Sequence, residues 1–331
     1  MVYGDREMKI FLFFLVFAMG TSCQKIRSEK EFLHVSFDTS REVFRKLNQK
    51  FLDKEDKSYH IHQSHGGSSR QTGLILSGLS PDIISLSIPS DMERIADENI
   101  IPKNWREIYP HHSSPFYSVL IIVTRNGNPY GIQTWNDLFD KPIIPILPDP
   151  KTSGTGKMIF LNLYSTLLEK HGNDRSLAIK KLKEFYKRVP TGDTTSRNAL
   201  TSFRKNGLGD ILITWESEYF LFRDQENLSY QPVYPESSIY GEIVLSKTLI
   251  NQPGETKTNF IENYIQFVFS PEAAEIITES GFRTHHESIM LRKADIFPKI
   301  HTFDIEASLG SWNTIQKEIF SASGIMNRVL Q

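Results

Sequence analysis

Three stretches of this chain set small hydrogen-bond donors where a strand-like run gives way to a helix-like one. They are Val35-Ser36-Phe37-Asp38-Thr39-Ser40-Arg41-Glu42, Gln63-Ser64-His65-Gly66-Gly67-Ser68-Ser69-Arg70-Gln71 and Asp149-Pro150-Lys151-Thr152-Ser153-Gly154-Thr155-Gly156-Lys157. The first turn of a helix carries N–H groups without intrahelical acceptors and the positive end of the helix dipole. A Gly/Ser approach lets an oxyanion come close to that backbone. One such junction reads as an ordinary N-cap; three point to several helix starts facing one small anion. Trp215 closes the apolar run Ile211-Leu212-Ile213-Thr214, and its indole N–H is a donor only. Neutral donors of this kind suit a fully deprotonated anion. An inward carboxylate would repel it, whereas a phosphate site profits from an acceptor for the ligand's remaining proton. Taken singly, Ser68 and Ser153 would be caps and Trp215 a core residue.

The elements that must position these groups alternate. Residues 33–37, 59–63 and 82–86 read as strands, and 41–52, 68–79 and 90–98 as helices, with Val43, Phe44, Leu47 and Phe51 at helical spacing. This is the βαβ rhythm of a parallel sheet covered by helices. The β-branched run 116–124 ends in the turn Arg125-Asn126-Gly127-Asn128-Pro129 and opens a second unit. That unit holds strand 142–147, helices 156–169 and 177–189, and strand 210–214. Beyond Tyr234 the chain returns to the first unit through strand 239–245 and helix 259–269. Ser270-Pro271-Glu272 then starts another helix, Ser as cap and Pro in the first turn, which Gly281 closes. The expected class is α/β in two lobes, with a ligand beyond the carboxyl ends of the strands.

At 331 residues the chain can hold two domains. A formal net charge of -1 argues against a nucleic-acid binder, although an anion site of backbone amides leaves no mark on that count. The single cysteine, Cys23, follows Lys9, a short apolar run and Gly20-Thr21-Ser22. That run is too short to span a bilayer and reads as the core of a signal peptide. Asp5 and Glu7 fit a positive leader poorly, so Met8 is an alternative start. A cysteine at this point is where a bacterial lipoprotein is cut and acylated. Residues 1–22 therefore read as signal peptide, Cys23 as the lipidated residue and 23–31 as a tether, which gives a periplasmic, membrane-anchored lipoprotein. The competing readings of Cys23 are a plain secreted protein whose leader happens to end in Cys, or a free buried thiol; no second cysteine exists for a disulfide.

Other groupings carry less. Gly154-Thr155-Gly156-Lys157 lacks the earlier glycine of a phosphate-binding P-loop, where Lys151 stands, and has Met158 where Ser or Thr is needed. His60, His62 and His65 have no acidic or Cys neighbour to complete a metal site. His111-His112 and His285-His286 read as surface pairs. No activated nucleophile or paired carboxylates can be assembled, so neither catalysis nor a cofactor is expected.

The chain resembles the bacterial sulfate-binding proteins, the solute receptors of sulfate/thiosulfate ABC importers. The resemblance rests on Gln63-Ser64-His65-Gly66-Gly67-Ser68, Pro148-Asp149-Pro150-Lys151-Thr152-Ser153-Gly154 and Gly209-Asp210-Ile211-Leu212-Ile213-Thr214-Trp215-Glu216. Val35-Ser36-Phe37-Asp38, Ile101-Pro102-Lys103-Asn104-Trp105, Arg125-Asn126-Gly127-Asn128-Pro129 and Phe269-Ser270-Pro271-Glu272 follow the family in the same order. It implies a two-lobed periplasmic-binding-protein fold of type II with the ligand cleft between the lobes. Lobe I would be residues 32–115 plus 240–331, and lobe II residues 116–239. It also implies a monomeric, non-enzymatic receptor without a cofactor, which captures sulfate or thiosulfate and delivers it to an ABC permease. The family's ligand positions fall on Ser68, Ser153, Gly154, Thr155 and Trp215, and on the backbone N–H groups of Asp38 and Ser196. Arg197 would supply charge behind the site, and the Asp38 carboxylate is expected to cap the following helix. Two departures stand out. Thr155 occupies a place where the family commonly has a second Gly, and Gly192-Asp193-Thr194-Thr195-Ser196-Arg197 differs from the family's Asp-Ser-Gly-Ala-Arg-Gly. They leave open another tetrahedral oxyanion, such as molybdate or phosphate, or a surface lipoprotein of the same fold that has lost transport. A hydrolase or transferase acting on anions is the reading from a different class.

Overall fold

The strands, in chain order, are β1 (Glu31–Phe37), β2 (His60–Gly66), β3 (Ile83–Leu86), β4 (Phe116–Thr124), β5 (Pro145–Ile146), β6 (Ile211–Trp215), β7 (Gln231–Val233), β8 (Ser237–Lys247), β9 (Arg283–Thr284) and β10 (His301–Phe303). This computed structural model describes residues 28–55, 57–190, 192–223, 230–251 and 253–331; the leader and Cys23 lie outside the described residues. Hydrogen bonding orders the strands β2-β1-β3-β8-β4-β6-β5, with β10 on β8 and both β7 and β9 on β4.

The sheet divides at β4 and β8. β1 lies parallel to β2 and β3, with Val35 opposite Ser64 and Ile84. β8 pairs antiparallel with β3 through its second half and with β4 through its middle, where Gly241 faces Ser118. β4 gives its first residues to β8 and its last to β6, where Leu120 faces Trp215. One pair of long strands thus carries the chain between the two halves. β4 is apolar almost throughout because both its faces are covered. Leu120 and Ile122 enter one core with Ile159, Phe160 and Ile213, while Ile121 and Val123 enter another with Phe203 and Leu212. The first half is likewise two-sided, with Phe32, Phe44, Phe51 and Tyr264 on one face and Val35, Ile84, Met92 and Trp105 on the other.

The helices that bear on the site are α1 (Arg41–Lys54), α2 (Ser68–Leu76) and α3 (Pro89–Asp97) in the first half, and α4 (Gly154–Lys170), α5 (Arg175–Tyr186), α6 (Ser196–Arg204) and α7 (Glu216–Arg223) in the second. α8 (Glu255–Val268) and α9 (Pro271–Glu279) return to the first half. Ser270 caps α9 by accepting from the Ala273 N–H at 3.2 Å, with Pro271 in the first turn, as the sequence signals. No helix among the described residues is long and apolar enough to cross a membrane.

Local expectation and structure part at three points. The strand expected at 142–147 is reduced to two residues, because Pro142 and Pro145 bring no N–H to a ladder. α2 stops at Leu76 rather than at residue 79, since Gly78 takes a φ of +105°. The sheet is mixed rather than parallel: β8 runs antiparallel to β3 and β4, and β4 antiparallel to β6, while β6 is parallel to β5.

Candidate anion-binding site

All three Gly/Ser junctions lie at helix starts. α2 begins at Ser68 with Gly67 as its cap residue, and the first intrahelical bond runs from the Gln71 N–H to the Gly67 carbonyl at 3.0 Å. α4 begins at Gly154 behind Ser153, whose Oγ accepts from the Gly156 N–H at 3.3 Å. Helix geometry leaves the N–H groups of Gly154 and Thr155 without intrahelical acceptors. α6 begins at Ser196 behind Thr195, which caps it by accepting from the Asn198 N–H at 3.2 Å. The first junction is a short 3-10 turn over Asp38–Ser40 leading into α1.

Direct contacts join the candidates of the second half. Trp215 Nε1 donates to Thr155 Oγ1 at 3.1 Å, and Ser196 Oγ donates to the same oxygen at 2.7 Å. Thr155, Ser196 and Trp215 are all buried. The first half reaches them through Ser87 and Ile88, which follow β3. The Ser68 and Ser87 hydroxyls are 2.9 Å apart, and the Ser87 N–H donates to Ser68 Oγ at 3.2 Å. A Cβ placed on Gly154 would lie 3.0 Å from Ile88 Cδ1, so the start of α4 sits directly against the residue after Ser87. The P-loop-like run is also explained sterically: a Cβ on Gly156 would lie 2.5 Å from the Pro148 carbonyl oxygen.

Two arginines near these helix starts are paired with carboxylates. Arg41 bonds the Asp38 carboxylate at 2.6 Å, which corrects the expectation that Asp38 caps the following helix. The carboxylate is drawn to the guanidinium one turn on, where it gains a charge-assisted bond. Arg197 reaches from α6 to Glu42 of α1 at 3.1 Å, and its Nε lies 3.2 Å from Glu218 of α7 without hydrogen-bond alignment. Although burial opposes its charge, Glu218, Glu42 and Asp38 hold the Arg197 guanidinium firmly protonated. Burial pushes the Glu218 carboxyl up to about 7, against the pull of Arg197. His65 Nδ1 is 2.6 Å from Ser36 Oγ, and burial, then Arg41, lower its pKa. Ser36 is fully buried, so this Ser–His pair braces the Gly66–Gly67 turn before Ser68 rather than meeting a substrate. A small anion here would meet peptide N–H groups and hydroxyls, since Arg41 and Arg197 are engaged by carboxylates.

A family model described as bacterial extracellular solute-binding protein matches residues 34–283. The chain belongs to that family. Among its relatives, the thiosulfate-binding protein of Escherichia coli K12 is 34% identical over 91% of this chain and 91% of that protein. The sulfate-binding protein of Salmonella typhimurium LT2 is 30% identical over 90% of this chain and 92% of its own length. In structure, the sulfate-binding protein SubI of Mycobacterium tuberculosis H37Rv superposes with a TM-score of 0.77 at 23% identity, covering 88% of this chain and 100% of that one. The fold is the two-lobed periplasmic-binding-protein type.

This solute-binding protein also holds residues near the junctions that its sequence does not advertise. Ser87, Glu42, Glu218 and Gly241 each touch a candidate or its neighbour, and only Ser87 gives a hint, as a small polar residue just after a buried strand. A Cβ on Gly241 would lie 2.4 Å from the Trp215 ring, so the indole occupies space that β8 leaves open. His111 and His112 are exposed, as a surface pair would be, whereas His285 and His286 are half-buried. His111 stacks on half-buried His285 with ring centroids 4.2 Å apart, and burial, then His111, lower His285 to about 4. Among the described residues no cluster of three His, Cys, Asp or Glu side chains suits a metal ion.

Proposed function

We propose that this solute-binding protein captures sulfate or thiosulfate outside the cytoplasm and hands it to an ABC-type permease, without catalysis of its own. The observation that carries the reading is the cluster at the starts of α4 and α6. There Thr155, Ser196 and Trp215 are joined by direct hydrogen bonds, while Arg41 and Arg197 are engaged by carboxylates. A dianion held between such helix starts is stabilised by fixed dipoles, and lobe closure that excludes water strengthens each hydrogen bond. Relatives named for sulfate and for thiosulfate support the class of ligand. The site is taken to comprise the backbone N–H groups of Asp38, Gly154, Thr155 and Ser196 and the side chains of Ser68, Ser153 and Thr155, together with Trp215, which bonds Thr155.

In this reading lobe I is residues 32–115 with 240–331, lobe II is 116–239, and β4 and β8 are the crossing strands. A lipid on Cys23 would tether the receptor at the membrane surface through residues 23–31.

The test is isothermal calorimetry of the purified protein with sulfate and thiosulfate, with molybdate and phosphate as competitors. Saturable one-to-one binding of either sulfur oxyanion is expected. Binding of neither removes the proposal. Mass spectrometry of the processed N-terminus checks the lipid independently.

A further inference from the structure

We propose that the Thr155 hydroxyl donates directly to the anion, and that the Trp215 and Ser196 side chains act through it as positioning groups. The inference rests on the oxyanion reading above and concerns which atoms deliver it.

A threonine hydroxyl has two acceptor positions and one hydrogen. Trp215 Nε1 fills one acceptor position at 3.1 Å and Ser196 Oγ fills the other at 2.7 Å. An indole N–H can only donate, so the sense of the first bond is fixed. With both acceptor positions occupied, the one hydrogen of Thr155 can only be given away. Thr155 is the second residue of α4, beside the N–H groups of the first turn, so its proton and those amides belong to the same helix start. The side chain is 2% exposed, which shields this chain of hydrogen bonds from bulk water. Two donors converging on one hydroxyl oxygen polarise its O–H, strengthening its bond to a charged acceptor.

Selectivity follows from the same count. An oxyanion that carries its own O–H needs an acceptor at its binding surface, and this hydroxyl has none left. The threonine therefore biases the site toward tetrahedral dianions without a proton. It also fills space that a glycine would leave, so that the indole reaches the ligand through Thr155 instead of directly.

The experiment is a double-mutant cycle read by calorimetry with sodium sulfate and sodium thiosulfate, using Thr155→Val, Thr155→Ser, Trp215→Phe and the double variant Thr155→Val/Trp215→Phe. Thr155→Ala takes the place of valine in the cycle if the valine protein does not fold by circular dichroism. The expected result is a tenfold or greater loss of affinity for Thr155→Val, with Thr155→Ser within threefold of wild type. The double variant is expected to bind no more weakly than Thr155→Val alone. Wild-type affinity in Thr155→Val, or losses that multiply in the double variant, overturns the proposal and leaves the oxyanion reading standing. Failure of the wild-type protein to bind either anion overturns both.

Discussion

A Cβ placed on Gly241 would lie 2.4 Å from Cη2 and Cζ3 of Trp215. The glycine is therefore what allows the indole to approach so closely to β8, a strand that pairs with both halves of the sheet. Gly241→Ala must push the ring away and stretch its 3.1 Å bond to Thr155. Overpacking of this sort costs about 1–3 kcal/mol of stability. Loss of the aligned donor is expected to lower sulfate affinity roughly tenfold, which is about 1.4 kcal/mol. Thermal denaturation and calorimetry on the one variant read both effects, and unchanged affinity would show that the indole's position does not matter.

Arg197 and Glu42 join α6 to α1 across the two halves at 3.1 Å. Both side chains are about one-third exposed, 38% and 32%, so solvent screening keeps the pair within about 0.2–1 kcal/mol. Glu42→Gln is accordingly expected to weaken anion affinity by no more than about fivefold. Wild-type affinity should also fall more steeply with added sodium chloride than that of the variant, because screening acts on the pair. Parallel salt titrations check this, and identical slopes would argue that the pair contributes nothing to closure.

What could be read from the chain is local. The helix starts near residues 68 and 154 and the Ser270 cap announce themselves through Gly, Ser, Thr and Pro within a few positions, because capping is a short-range hydrogen-bond problem; the helix from Ser196 to Arg204 is not among the expected elements. Trp215 is legible at the end of a buried strand because the apolar run Ile211-Leu212-Ile213 precedes it directly. Long-range pairing was not legible. β4 and β8 look like any apolar strands, and their antiparallel partnership depends on residues more than a hundred positions apart. Glu42 acquires its meaning only from Arg197, 155 positions away, and Gly241 only from Trp215. The hydrogen bonds that Thr155 receives were hidden too, since a threonine in a Gly-rich helix start says nothing about which side chains will point at it.

Glu216 and Arg283 form a buried bidentate pair, with Nε–Oε2 at 2.7 Å and Nη2–Oε1 at 2.8 Å. Glu216 directly follows Trp215, and Arg283 sits in β9 beside β4, so the pair ties the carboxyl end of β6 to the opposite half. Removing one partner strands a desolvated charge, which costs about 3–5 kcal/mol. Arg283→Met should therefore unfold at markedly lower urea concentration than wild type, whereas an apolar replacement of both residues should recover much of the loss. A deficit below about 1 kcal/mol for the single variant would place the pair among weak surface contacts instead.

Glu218 should make stability depend on pH in a defined direction. It is fully buried in α7, faced by Arg197, with Glu42 and Asp38 adding negative charge from the other half. Burial is the main cause that raises its carboxyl from 4.5 to about 7. Between those values the unfolded chain has released the proton and the folded chain still holds it, so rising pH favours unfolding. The contribution is complete below about pH 4.5 and is lost as the pH passes through 7. Glu218→Gln stays neutral throughout and removes this slope. Unfolding free energies from urea melts at pH 5 and pH 7.5 should show the wild type losing on the order of 2 kcal/mol relative to the variant over that interval. Parallel profiles for the two proteins would mean that Glu218 is ionised in the fold at both pH values, held so by Arg197.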